Sequence, residues 1–430
     1  MEIKAPRGTE DVLPGRSEAW SRLEAITRQV MASYGYREIR TPIFEHTELF
    51  SRGVGEATDV VEKEMYTFTD RSGRSITLRP EGTAPVARSY IEHGMRLWPQ
   101  PVKVFYIGPM FRYERPQAGR LRQHYQIGAE ALGSEDPALD AEAIMLPIEI
   151  FRRLGLSRFE VHLNSIGCPR CRPAYRERLV GFLRPRAHLL CESCRRRLER
   201  SPLRVLDCKV PACREVTNDA PASYDYLCGD CRAHLDTLRG HLGALGVLYV
   251  LDPRLVRGFD YYTRTVFEVL SESLGAQNAV AGGGRYDGLV ETLGGPPTPG
   301  VGFASGMERA LLAAGESGAL GADEGWLDVF VAQSDPDRRG EALRLVYQLR
   351  GRGLRVDTDY HNRSLKAQLK SADRAGARVA VIVGGEEAPP GGTDGAAYVI
   401  RDLRTGDQVK ADPESIVEAA ARWAKNAKES

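Results

Sequence analysis

Four arginines within one short stretch form the group of side chains best suited to chemistry in this chain. They lie in residues 111–130, FRYERPQAGRLRQHYQIGAE, and are Arg112, Arg115, Arg120 and Arg122. Because a guanidinium is planar and carries paired donors, it binds phosphate or carboxylate through two parallel hydrogen bonds. The pattern predicts a site for a polyanion, and the alternative is a solvated hairpin whose charges pair with one another.

Two antiparallel strands joined by a mobile loop are the predicted support for these arginines. The apolar run VKVFYIGPMF leads into the loop and HYQIGAEAL follows it, while Pro116 and Gly119 mark the turn between them. In the second strand Gln126, Gly128 and Glu130 alternate and so share one face of the sheet. Burial of polar side chains without partners is unfavourable, so this face is predicted to line a pocket.

Two shorter stretches carry groups that could bind other parts of a ligand. SITLRPEGTA is predicted to be a strand that delivers Glu81, Gly82 and Thr83 to the start of a helix over 84–92. Glu81 could bind an ammonium group there, and a helix cap formed by Thr83 or Glu81 fits the local sequence equally well. The run RGFDYY, residues 257–262, suits a pocket for an aromatic ring; tyrosines half-buried at a strand edge are the alternative.

Glycines dominate two later segments. AGGGRYDGL, residues 281–289, would allow a ligand or another strand to approach the backbone closely. In GVGFASGMERALL, residues 300–312, a strand is predicted to run into a helix with Arg309 in its first turns, where the helix dipole and the guanidinium can both face phosphate. The chain has no GxxxxGK[ST] motif, which excludes a P-loop.

All eight cysteines lie between residues 168 and 231, and three of their four pairs have the spacing CxxC. The pairs are Cys168 and Cys171, Cys191 and Cys194, Cys208 and Cys213, and Cys228 and Cys231. In a chain without secretory features such pairs indicate zinc thiolate sites rather than disulfides. The hypothesis is structural zinc in two sites of four thiolates, and the alternative is reduced structural thiols.

The cysteines belong to a basic segment, about 167–248, that we interpret as an insertion in the main domain. Arginine greatly outnumbers glutamate over 170–204, with a run at 195–197. Such a surface suits an RNA backbone, which takes sequence-independent contacts from arginine and lysine. A solvated helix face is the alternative.

Composition limits the classes of function. The chain has 430 residues, of which 42% are hydrophobic, and this predicts two or three globular domains. Its formal net charge of +1 argues against binding to nucleic acid by bulk charge alone. The N-terminus is polar and no apolar run could span a bilayer, which predicts a cytoplasmic protein without a signal peptide.

Hydrophobic periodicity predicts two domains, 1–325 and 326–430. The first begins with a helix over 15–34 and a strand over 36–41. From Trp326 strands alternate with helices, which is typical of a small α/β domain with a mostly parallel sheet. Asp412 and Pro413 are predicted to begin the last helix, and residues 315–325 are the predicted linker.

Together these segments resemble the histidyl-tRNA synthetase family, which belongs to the class II aminoacyl-tRNA synthetases. Residues 111–130 resemble the class motif 2, and GVGFASGMERAL resembles motif 3. LVRGFDYYTRTVFE and AGGGRYDGLV resemble the two histidine-specific signatures of the family. The resemblance covers nearly the whole chain. It implies an α/β fold, with an α+β catalytic domain built on an antiparallel sheet and a C-terminal α/β anticodon-binding domain.

The resemblance also implies roles for individual residues. Arg112 and Arg257 would be the catalytic residues, both near the α-phosphate of ATP. Arg309 would bind the γ-phosphate, and Glu114 would contact the adenine side of the nucleotide. The histidine substrate would contact a larger set, namely Glu81, Gly82, Thr83, Arg112, Gln126, Glu130, Arg257, Tyr261, Tyr262 and Tyr286.

Within that set, Glu130 and Tyr261 would pair with the two ring nitrogens of the imidazole. A site that satisfies both nitrogens rejects apolar rings of similar size. Tyr262 and Tyr286 would form the walls of the pocket. The amino group would be held by Glu81, Thr83 and Gln126.

The implied reaction is the ligation of histidine to tRNA(His). ATP, with Mg²⁺, would convert L-histidine to histidyl-adenylate and pyrophosphate, and histidine would then pass to the 3′-terminal adenosine of the tRNA. A homodimer is implied and no membrane partner. Many members of the family lack the cysteine set, so zinc does not follow from the resemblance. Two alternatives are a catalytically inactive paralogue that regulates ATP phosphoribosyltransferase, and a zinc-dependent RNA-binding module without enzymatic action.

Overall fold

The computed structural model describes residues 3–55, 58–272, 274, 279–318, 327–384 and 398–429, with side chains as far as residue 425. The chain divides into two compact units, Met1–Leu320 and Gly321–Ser430. Residues 319–325 of the predicted linker lie outside the described residues, as does the predicted domain boundary between 325 and 326.

The first unit is mixed in secondary structure. Its described helices are α1 (Ser17–Ser33), α2 (Thr47–Val54), α3 (Thr83–Glu92), α4 (Pro137–Leu154), α5 (Arg172–Leu183), α6 (Glu192–Arg200), α7 (Pro211–Thr217), α8 (Gly229–Ala244), α9 (Leu289–Thr292) and α10 (Met307–Glu316). Its strands are β1 (Arg37–Glu38), β2 (Phe44–His46), β3 (Tyr66–Thr69), β4 (Ser75–Leu78), β5 (Val102–Phe111), β6 (Gln123–Leu132), β7 (Phe159–Ser165), β8 (Tyr249–Leu251), β9 (Thr263–Ser271), β10 (Ala279–Arg285) and β11 (Gly300–Gly306). Short 3-10 or π-helical turns occupy Val60–Glu64, Met95–Leu97, Arg184–Leu189, Pro202–Val205 and Ser223–Tyr226.

An eight-stranded sheet forms the centre of this unit, in the order β1-β5-β6-β11-β10-β9-β7-β8. Its internal pairs are antiparallel, and the edge pairs β1–β5 and β7–β8 are parallel. The arginine-rich hairpin is β5 and β6, which pair from Val102 with Leu132 to Phe111 with Gln123. A separate antiparallel sheet has the order β2-β4-β3. The predicted α+β architecture on an antiparallel sheet is therefore confirmed.

Alternation along the strands gives the central sheet two different faces. Phe105, Ile127 and Phe303 lie on one face, where they are buried in a core with α1, α4, α8 and α10. Full burial of one such large apolar side chain contributes about 1.5–3 kcal/mol. The neighbouring positions, such as Tyr106 and Gly128, lie on the opposite face, and that face is left for the site.

Helix α4 covers the apolar face and has the bounds that the apolar pattern of residues 137–154 predicts. Asp136 caps its N-terminus by accepting a hydrogen bond from the amide of Ala138 at 2.9 Å, and Pro137 occupies the first helical position. At its C-terminus Gly155 adopts a φ of +98°, a left-handed conformation in which glycine ends a helix without strain.

Asp140 on α4 is the centre of a buried polar network. Its carboxylate accepts hydrogen bonds from Arg285 Nε at 2.9 Å, Thr265 Oγ1 at 2.7 Å and His234 Nε2 at 2.5 Å. Burial alone would raise the pKa of Asp140, but the hydrogen bond from His234 and the charge of Arg285 outweigh it and hold the pKa below its usual range. The network joins α4 to α8 and to strands β9 and β10.

Asp140→Ala is expected to lower the free energy of unfolding by about 3–5 kcal/mol, because it removes the carboxylate from a fully buried guanidinium. Denaturant unfolding followed by circular dichroism measures the loss. Asp136→Ala is the control, since it removes only the cap of the same helix and should cost about 1 kcal/mol. Equal losses in the two variants would contradict a structural role for the network.

The second unit is a small α/β domain, as the sequence predicted. Its described strands are β12 (Val329–Gln333), β13 (Val356–Thr358), β14 (Val379–Val383), β15 (Tyr398–Asp402) and β16 (Gln408–Ala411), and its helices are α11 (Arg339–Gly351), α12 (Leu365–Arg374) and α13 (Ile416–Glu429), with a 3-10 turn at Pro336–Arg338. The sheet order is β13-β12-β14-β15-β16. The first three strands are mutually parallel, and β15 and β16 are added in antiparallel orientation.

Two predicted boundaries differ in the structure. The strand predicted over 36–41 is reduced to β1, because after Ile39 donates to the carbonyl of Phe105 the chain leaves the sheet edge before Pro42, which lacks an amide to continue the ladder. Helix α13 begins at Ile416 and not at Pro413, because the amides of Ser415 and Ile416 both bond to the carbonyl of Asp412 and form a preceding turn. Among the described helices, none combines the length and apolarity needed to cross a membrane.

Candidate functional site

The face of the central sheet opposite α4 carries glycines in the middle of two neighbouring rows of paired strands. The first row is Tyr106, Gly128, Ala304, Gly282 and Glu268, and the second is Val104, Glu130, Gly302, Gly284 and Val266. The glycines leave a furrow on the sheet that Tyr106, Glu268 and Glu130 border. Glycine in this furrow lets the neighbouring side chains lie close to the backbone.

Side chains lie directly on three of these glycines, and at Gly128 the covering group is the ring of Tyr106, which a Cβ atom would approach to 2.2 Å. A Cβ atom at Gly302 would come within 2.0 Å of Glu130 Oε2, and a Cβ atom at Gly282 would come within 2.5 Å of Arg257 Nη1. Both separations are shorter than non-bonded atoms tolerate. Glycine is therefore required at both positions for the carboxyl group and the guanidinium to lie flat on the sheet.

Glu130 lies at the bottom of this pocket and is 1% exposed. It accepts hydrogen bonds from Thr83 Oγ1 at 2.7 Å and from Tyr286 OH at 2.5 Å, and Tyr106 OH lies 3.5 Å away. Burial raises the pKa of Glu130 to about 8 despite these hydrogen bonds. Because this pKa lies close to neutral pH, a polar ligand that binds beside Glu130 can readily change the ionisation of its carboxyl group.

The three tyrosines predicted for the pocket pack together in its wall. The ring centroids of Tyr261 and Tyr262 are 4.7 Å apart, and those of Tyr261 and Tyr286 are 5.8 Å apart. All three side chains are buried, not half-buried as at an exposed strand edge. The tyrosine rings form an apolar wall, and the hydroxyl of Tyr286 adds a polar group to it by donating to Glu130.

The loop between β4 and α3 brings a second carboxylate to the pocket. Glu81 accepts hydrogen bonds from the amides of Thr83 at 2.7 Å and Ala84 at 2.9 Å, so it caps α3, as one of the two interpretations of this stretch predicted. Burial raises the pKa of Glu81. Glycine is needed at position 82, between Glu81 and Thr83, since a Cβ atom there would lie 2.2 Å from the ring of Tyr106.

Gln126 lies on β6, four residues before Glu130, and is buried. Its Nε2 atom is 3.4 Å from Nε2 of His124. Its Oε1 atom has no hydrogen-bond partner within the described part of the chain. A buried amide oxygen without a partner is unfavourable, so this acceptor is suited to a donor group on a ligand.

Arg257 reaches the furrow from the segment that precedes β9. Its Nη1 atom lies 2.6 Å from Oε1 of Glu268, and its guanidinium lies 5.9 Å from the ring centroid of Tyr262. The carboxylate and the ring hold the guanidinium in one orientation on the sheet. Arg257 is therefore a positioned cation beside the tyrosine wall.

Arg112 lies where the hairpin leaves the sheet. Its Nε donates to the carbonyl of Pro80 at 2.8 Å, and its guanidinium lies 5.5 Å from the ring centroid of Phe259. Glu114 is 3.9 Å from Arg112 and 3.5 Å from Arg120. Some charges of the hairpin therefore pair with one another, as the alternative interpretation predicted, while Arg112 is held beside the segment that carries the tyrosines.

A cavity of about 340 Å³ lies between the hairpin loop and α10. It is lined by Gln117, Ala118, Leu274, Arg309 and Leu312. Arg309 is the third residue of α10, as the sequence predicted. Burial and then the charge of Arg120 lower the pKa of Arg309. Two neighbouring guanidinium groups beside a cavity favour the binding of an anionic ligand there.

The eight cysteines form two separate groups of four, each with all its sulfur atoms within 4.8 Å of one another. One group is Cys168, Cys171, Cys228 and Cys231, and the other is Cys191, Cys194, Cys208 and Cys213. Neighbouring sulfurs in these groups lie 3.8 Å or 3.9 Å apart. Tetrahedral Zn²⁺ with bonds of about 2.3 Å places its sulfurs about 3.8 Å apart, whereas a disulfide bond is about 2.05 Å. Both groups therefore fit four-thiolate metal sites.

The basic run in the insertion is only partly available to RNA. Arg197 lies 2.7 Å from Asp59, and Arg200 lies 3.2 Å from Glu62. Arg195 is exposed on α6. Part of the charge that suggested an RNA surface therefore joins the insertion to the segment that follows α2.

Tyr106 and Glu268 are pocket residues that the sequence did not single out. Tyr106 lies within VKVFYIGPMF, which was interpreted as an apolar strand, and Glu268 lies within LVRGFDYYTRTVFE, where it was given no role. The signal that could have found Tyr106 is strand alternation, which places it on the same face as Gly108 and next to Gly128. Glu268 could have been found as the single carboxylate in its strand.

Comparisons with known proteins agree over almost the full length. The family model for histidyl-tRNA synthetase matches residues 8–310, and a model for an anticodon binding domain matches residues 328–423. A histidine–tRNA ligase from Moorella thermoacetica is 53% identical over 418 residues, which are 97% of this chain and 98% of the relative. One from Desulfitobacterium hafniense is 54% identical over 414 residues, which are 95% and 96% of the two chains.

A solved structure supports the same conclusion. The crystal structure of apo histidyl-tRNA synthetase from S. aureus superposes with a TM-score of 0.80 at 39% identity, and the match covers 97% of this chain and 99% of the other. The fold and the order of the signature segments therefore have a common origin with these proteins. The chain belongs to the histidyl-tRNA synthetase family.

Proposed function

We propose that this chain is a histidine–tRNA ligase, which activates L-histidine with ATP and transfers it to tRNA(His). The observation that carries the proposal is the buried carboxyl group of Glu130, enclosed by tyrosines on the same sheet face as Arg257. Curated relatives at 52–54% identity bear the name histidine–tRNA ligase. The chain spans at least 95% of their length, so the pocket and the rest of the machinery are present together.

The pocket suits histidine because an imidazole offers one donor nitrogen and one acceptor nitrogen. Glu130 would accept from the donor nitrogen, and the hydroxyl of Tyr261 would donate to the other. Tyr262 and Tyr286 would pack on the two sides of the ring. The amino group would lie near Glu81, Thr83 and Gln126, and the orphan Oε1 atom of Gln126 supports this placement.

The nucleotide would lie between the hairpin and α10. Arg309 would hold the γ-phosphate beside the 340 Å³ cavity, and Glu114 would contact the adenine. Arg112 would contact both the α-phosphate and the carboxylate of histidine. Mg²⁺ enters with ATP as part of the substrate.

The first step would be attack of the histidine carboxylate on the α-phosphorus, which forms histidyl-adenylate and releases pyrophosphate. The crowded phosphorus centre gains negative charge, and Arg112 and Arg257 would stabilise it from fixed positions. In the second step the 3′-terminal adenosine hydroxyl of the tRNA would attack the histidyl carbonyl and release AMP. The protein contributes orientation and positive charge in both steps.

Each part of the chain would have a separate task in tRNA recognition. Residues 1–325 would form the catalytic domain, and the insertion at about 167–248 would lie over the acceptor stem. Residues 326–430 would bind the anticodon, which the matched anticodon-binding family model supports. The active form would be a cytoplasmic homodimer.

The insertion would also carry two structural zinc ions, one in each cysteine group. The tetrahedral spacing of the sulfurs, six of which belong to buried cysteines, supports zinc over reduced thiols. The amide of Cys168 donates to Cys171 Sγ at 3.3 Å and that of Cys191 to Cys213 Sγ at 3.1 Å. Such amide donors stabilise thiolates, the form that binds the metal.

Histidine-dependent exchange of pyrophosphate into ATP is the test of the ligase proposal. The purified chain is expected to catalyse this exchange with histidine and not with phenylalanine, because only histidine satisfies Glu130. A regulatory paralogue or an RNA-binding module would show no exchange with either amino acid, and that result would overturn the proposal.

A further inference from the structure

We propose that the metal ion bound by Cys168, Cys171, Cys228 and Cys231, here called the root site, positions the histidine pocket. It would thereby set the affinity for histidine as well as hold the insertion together. The inference rests on the proposed ligase function and on zinc in this site. It goes beyond both of these proposals, since it predicts that the metal ion in the root site affects the binding of histidine and not the binding of ATP.

The root site is joined to the tyrosine segment through Arg172, the residue directly after Cys171. Arg172 Nη2 donates to the carbonyl of Tyr262 at 2.5 Å and to the carbonyl of Gly167 at 3.3 Å. The amide of Arg264 also donates to the carbonyl of Gly167, at 2.9 Å. Hydrogen bonds therefore join the residues that flank the cysteines to the residues that follow the pocket tyrosines. These two segments, residues 167–172 and 262–264, are here called the shared turn.

The shared turn has a backbone that its surroundings must hold in place. Arg264 adopts a φ of +49°, in the left-handed region that side chains other than glycine rarely enter. Gly167 has a φ of +71°, and a Cβ there would lie 2.7 Å from Cys171 Sγ. The conformation that follows Tyr262 thus depends on close packing against the root site.

The other two sulfurs, those of Cys228 and Cys231, would connect the shared turn to the start of helix α8 through the metal ion. Cys228 lies just before α8 and Cys231 lies in its first turn, and Cys228 follows Cys168 by 60 residues in sequence. Helix α8 is anchored independently, because His234 bonds to the buried Asp140 at 2.5 Å. A metal ion across the four sulfurs would therefore transmit the fixed position of α8 to Arg172 and from there to Tyr262.

Removing the metal should loosen this connection without removing any pocket residue. Four thiolates within 4.8 Å of one another repel one another unless a cation or protons neutralise them. The start of α5 would then be free to shift, and the hydrogen bond to the Tyr262 carbonyl would be lost. The wall that packs against the imidazole would be less well positioned, while the nucleotide side would be unchanged.

The first experiment uses the full chain with Cys228→Ser and Cys231→Ser, which leave Arg172 and Gly167 unaltered. Zinc per chain, measured by plasma mass spectrometry, is expected to fall from two to one. In pyrophosphate exchange the KM for histidine should rise about tenfold, the size of effect expected for loss of a hydrogen bond from a charged donor. The KM for ATP should stay at the wild-type value.

A second set of variants keeps both metal sites and breaks only the connection. Arg172→Met should retain two zinc ions and raise the KM for histidine to a similar extent. Arg172→Lys, which still offers a donor to the Tyr262 carbonyl, should restore most of the affinity. Arg176→Met is the matched control, because Arg176 is exposed one turn later on α5 and contacts only the carbonyl of Glu199 among the described residues, at 3.4 Å.

The outcomes separate the positioning role from the ligase function. Unchanged KM for histidine in Arg172→Met, or in the zinc-depleted cysteine variant, would overturn the positioning role and leave the ligase assignment intact. Wild-type protein without zinc after expression in zinc-supplemented medium would overturn the metal site itself. If the cysteine variant does not fold, Arg172→Met decides the question. Wild-type protein that binds zinc but shows no histidine-dependent exchange would overturn the ligase assignment.

Discussion

Arg257→Ala is expected to lower the rate of histidine-dependent pyrophosphate exchange by about 10²- to 10³-fold, with ATP binding nearly unchanged. The guanidinium is fixed by Glu268 at 2.6 Å and lies over Gly282, so it acts as a cation whose orientation is set before the reaction begins. A preorganised charge of this kind stabilises the transition state more than the bound substrate. The loss should therefore be found in kcat, whereas the proposed contacts with ATP that set its affinity are those of Arg112 and Arg309.

Exchange kinetics and ATP binding by calorimetry, measured on the same preparations, check this prediction. Arg254→Ala is the control, since Arg254 lies three residues earlier and bonds to Asn218 at 3.1 Å, outside the pocket. It should behave as wild type. Near-normal exchange in Arg257→Ala would show that the role given to Arg257 is wrong.

Glu130→Gln is expected to lower kcat/KM for histidine by about 10²-fold or more, because a site built to accept a hydrogen bond loses affinity when the acceptor is impaired. The substitution keeps the size of the side chain and can retain the contacts with Thr83 and Tyr286. It removes the group that can become a carboxylate. ATP-dependent parameters should change little, since Glu130 lies at the bottom of the histidine pocket.

The same residue predicts a pH dependence whose sign follows from its burial. Burial raises the pKa of Glu130 to about 8, so the empty pocket holds it mainly protonated at pH 7 and increasingly ionised above pH 8. A carboxylate accepts better from the imidazole N–H, so histidine affinity in the wild type should rise between pH 6.5 and 8.5. The rise should be much smaller in Glu130→Gln, because glutamine does not titrate and only the titration of histidine itself remains.

Calorimetric titration with histidine across this pH range tests the prediction. Glu142→Gln is the matched control, since Glu142 lies on α4, on the opposite face of the sheet, and pairs with Lys103 at 2.7 Å. It should keep both the affinity and the pH dependence of the wild type. Affinity that falls with rising pH would mean that the protonated form of Glu130 binds the ring.

Local patterns were sufficient to predict several elements of the secondary structure. β5 and β6 were expected from alternating runs around a Pro and Gly turn, and a strand running into a helix was expected where β11 and α10 lie. The alternation of Gln126, Gly128 and Glu130 also predicted correctly that these residues share one face of the sheet, while the pocket on that face stays a prediction. These features depend on residues close together in sequence, which is why a single chain reveals them.

Contacts between distant segments were not predictable in the same way. Glu81 had two equally good interpretations, and only its hydrogen bonds to the amides of Thr83 and Ala84 show that it caps α3. Glu268 was missed because its partner Arg257 belongs to another element. Arg197 was expected to face RNA, but it pairs with Asp59, a residue 138 positions away.

The sequence by itself determined that the chain has a class II type catalytic sheet, a small α/β domain and eight paired cysteines in one segment. Only the tertiary structure decided which cysteine pairs join, since Cys168 and Cys171 meet Cys228 and Cys231 across an intervening group of four. The physical reason is that spacing in the sequence determines which cysteines lie in the same turn of the chain. The packing of α5 and α8 determines which of these turns come together in space. The same packing places Arg172 against Tyr262 and so connects one group of four cysteines to the tyrosine segment of the proposed histidine pocket.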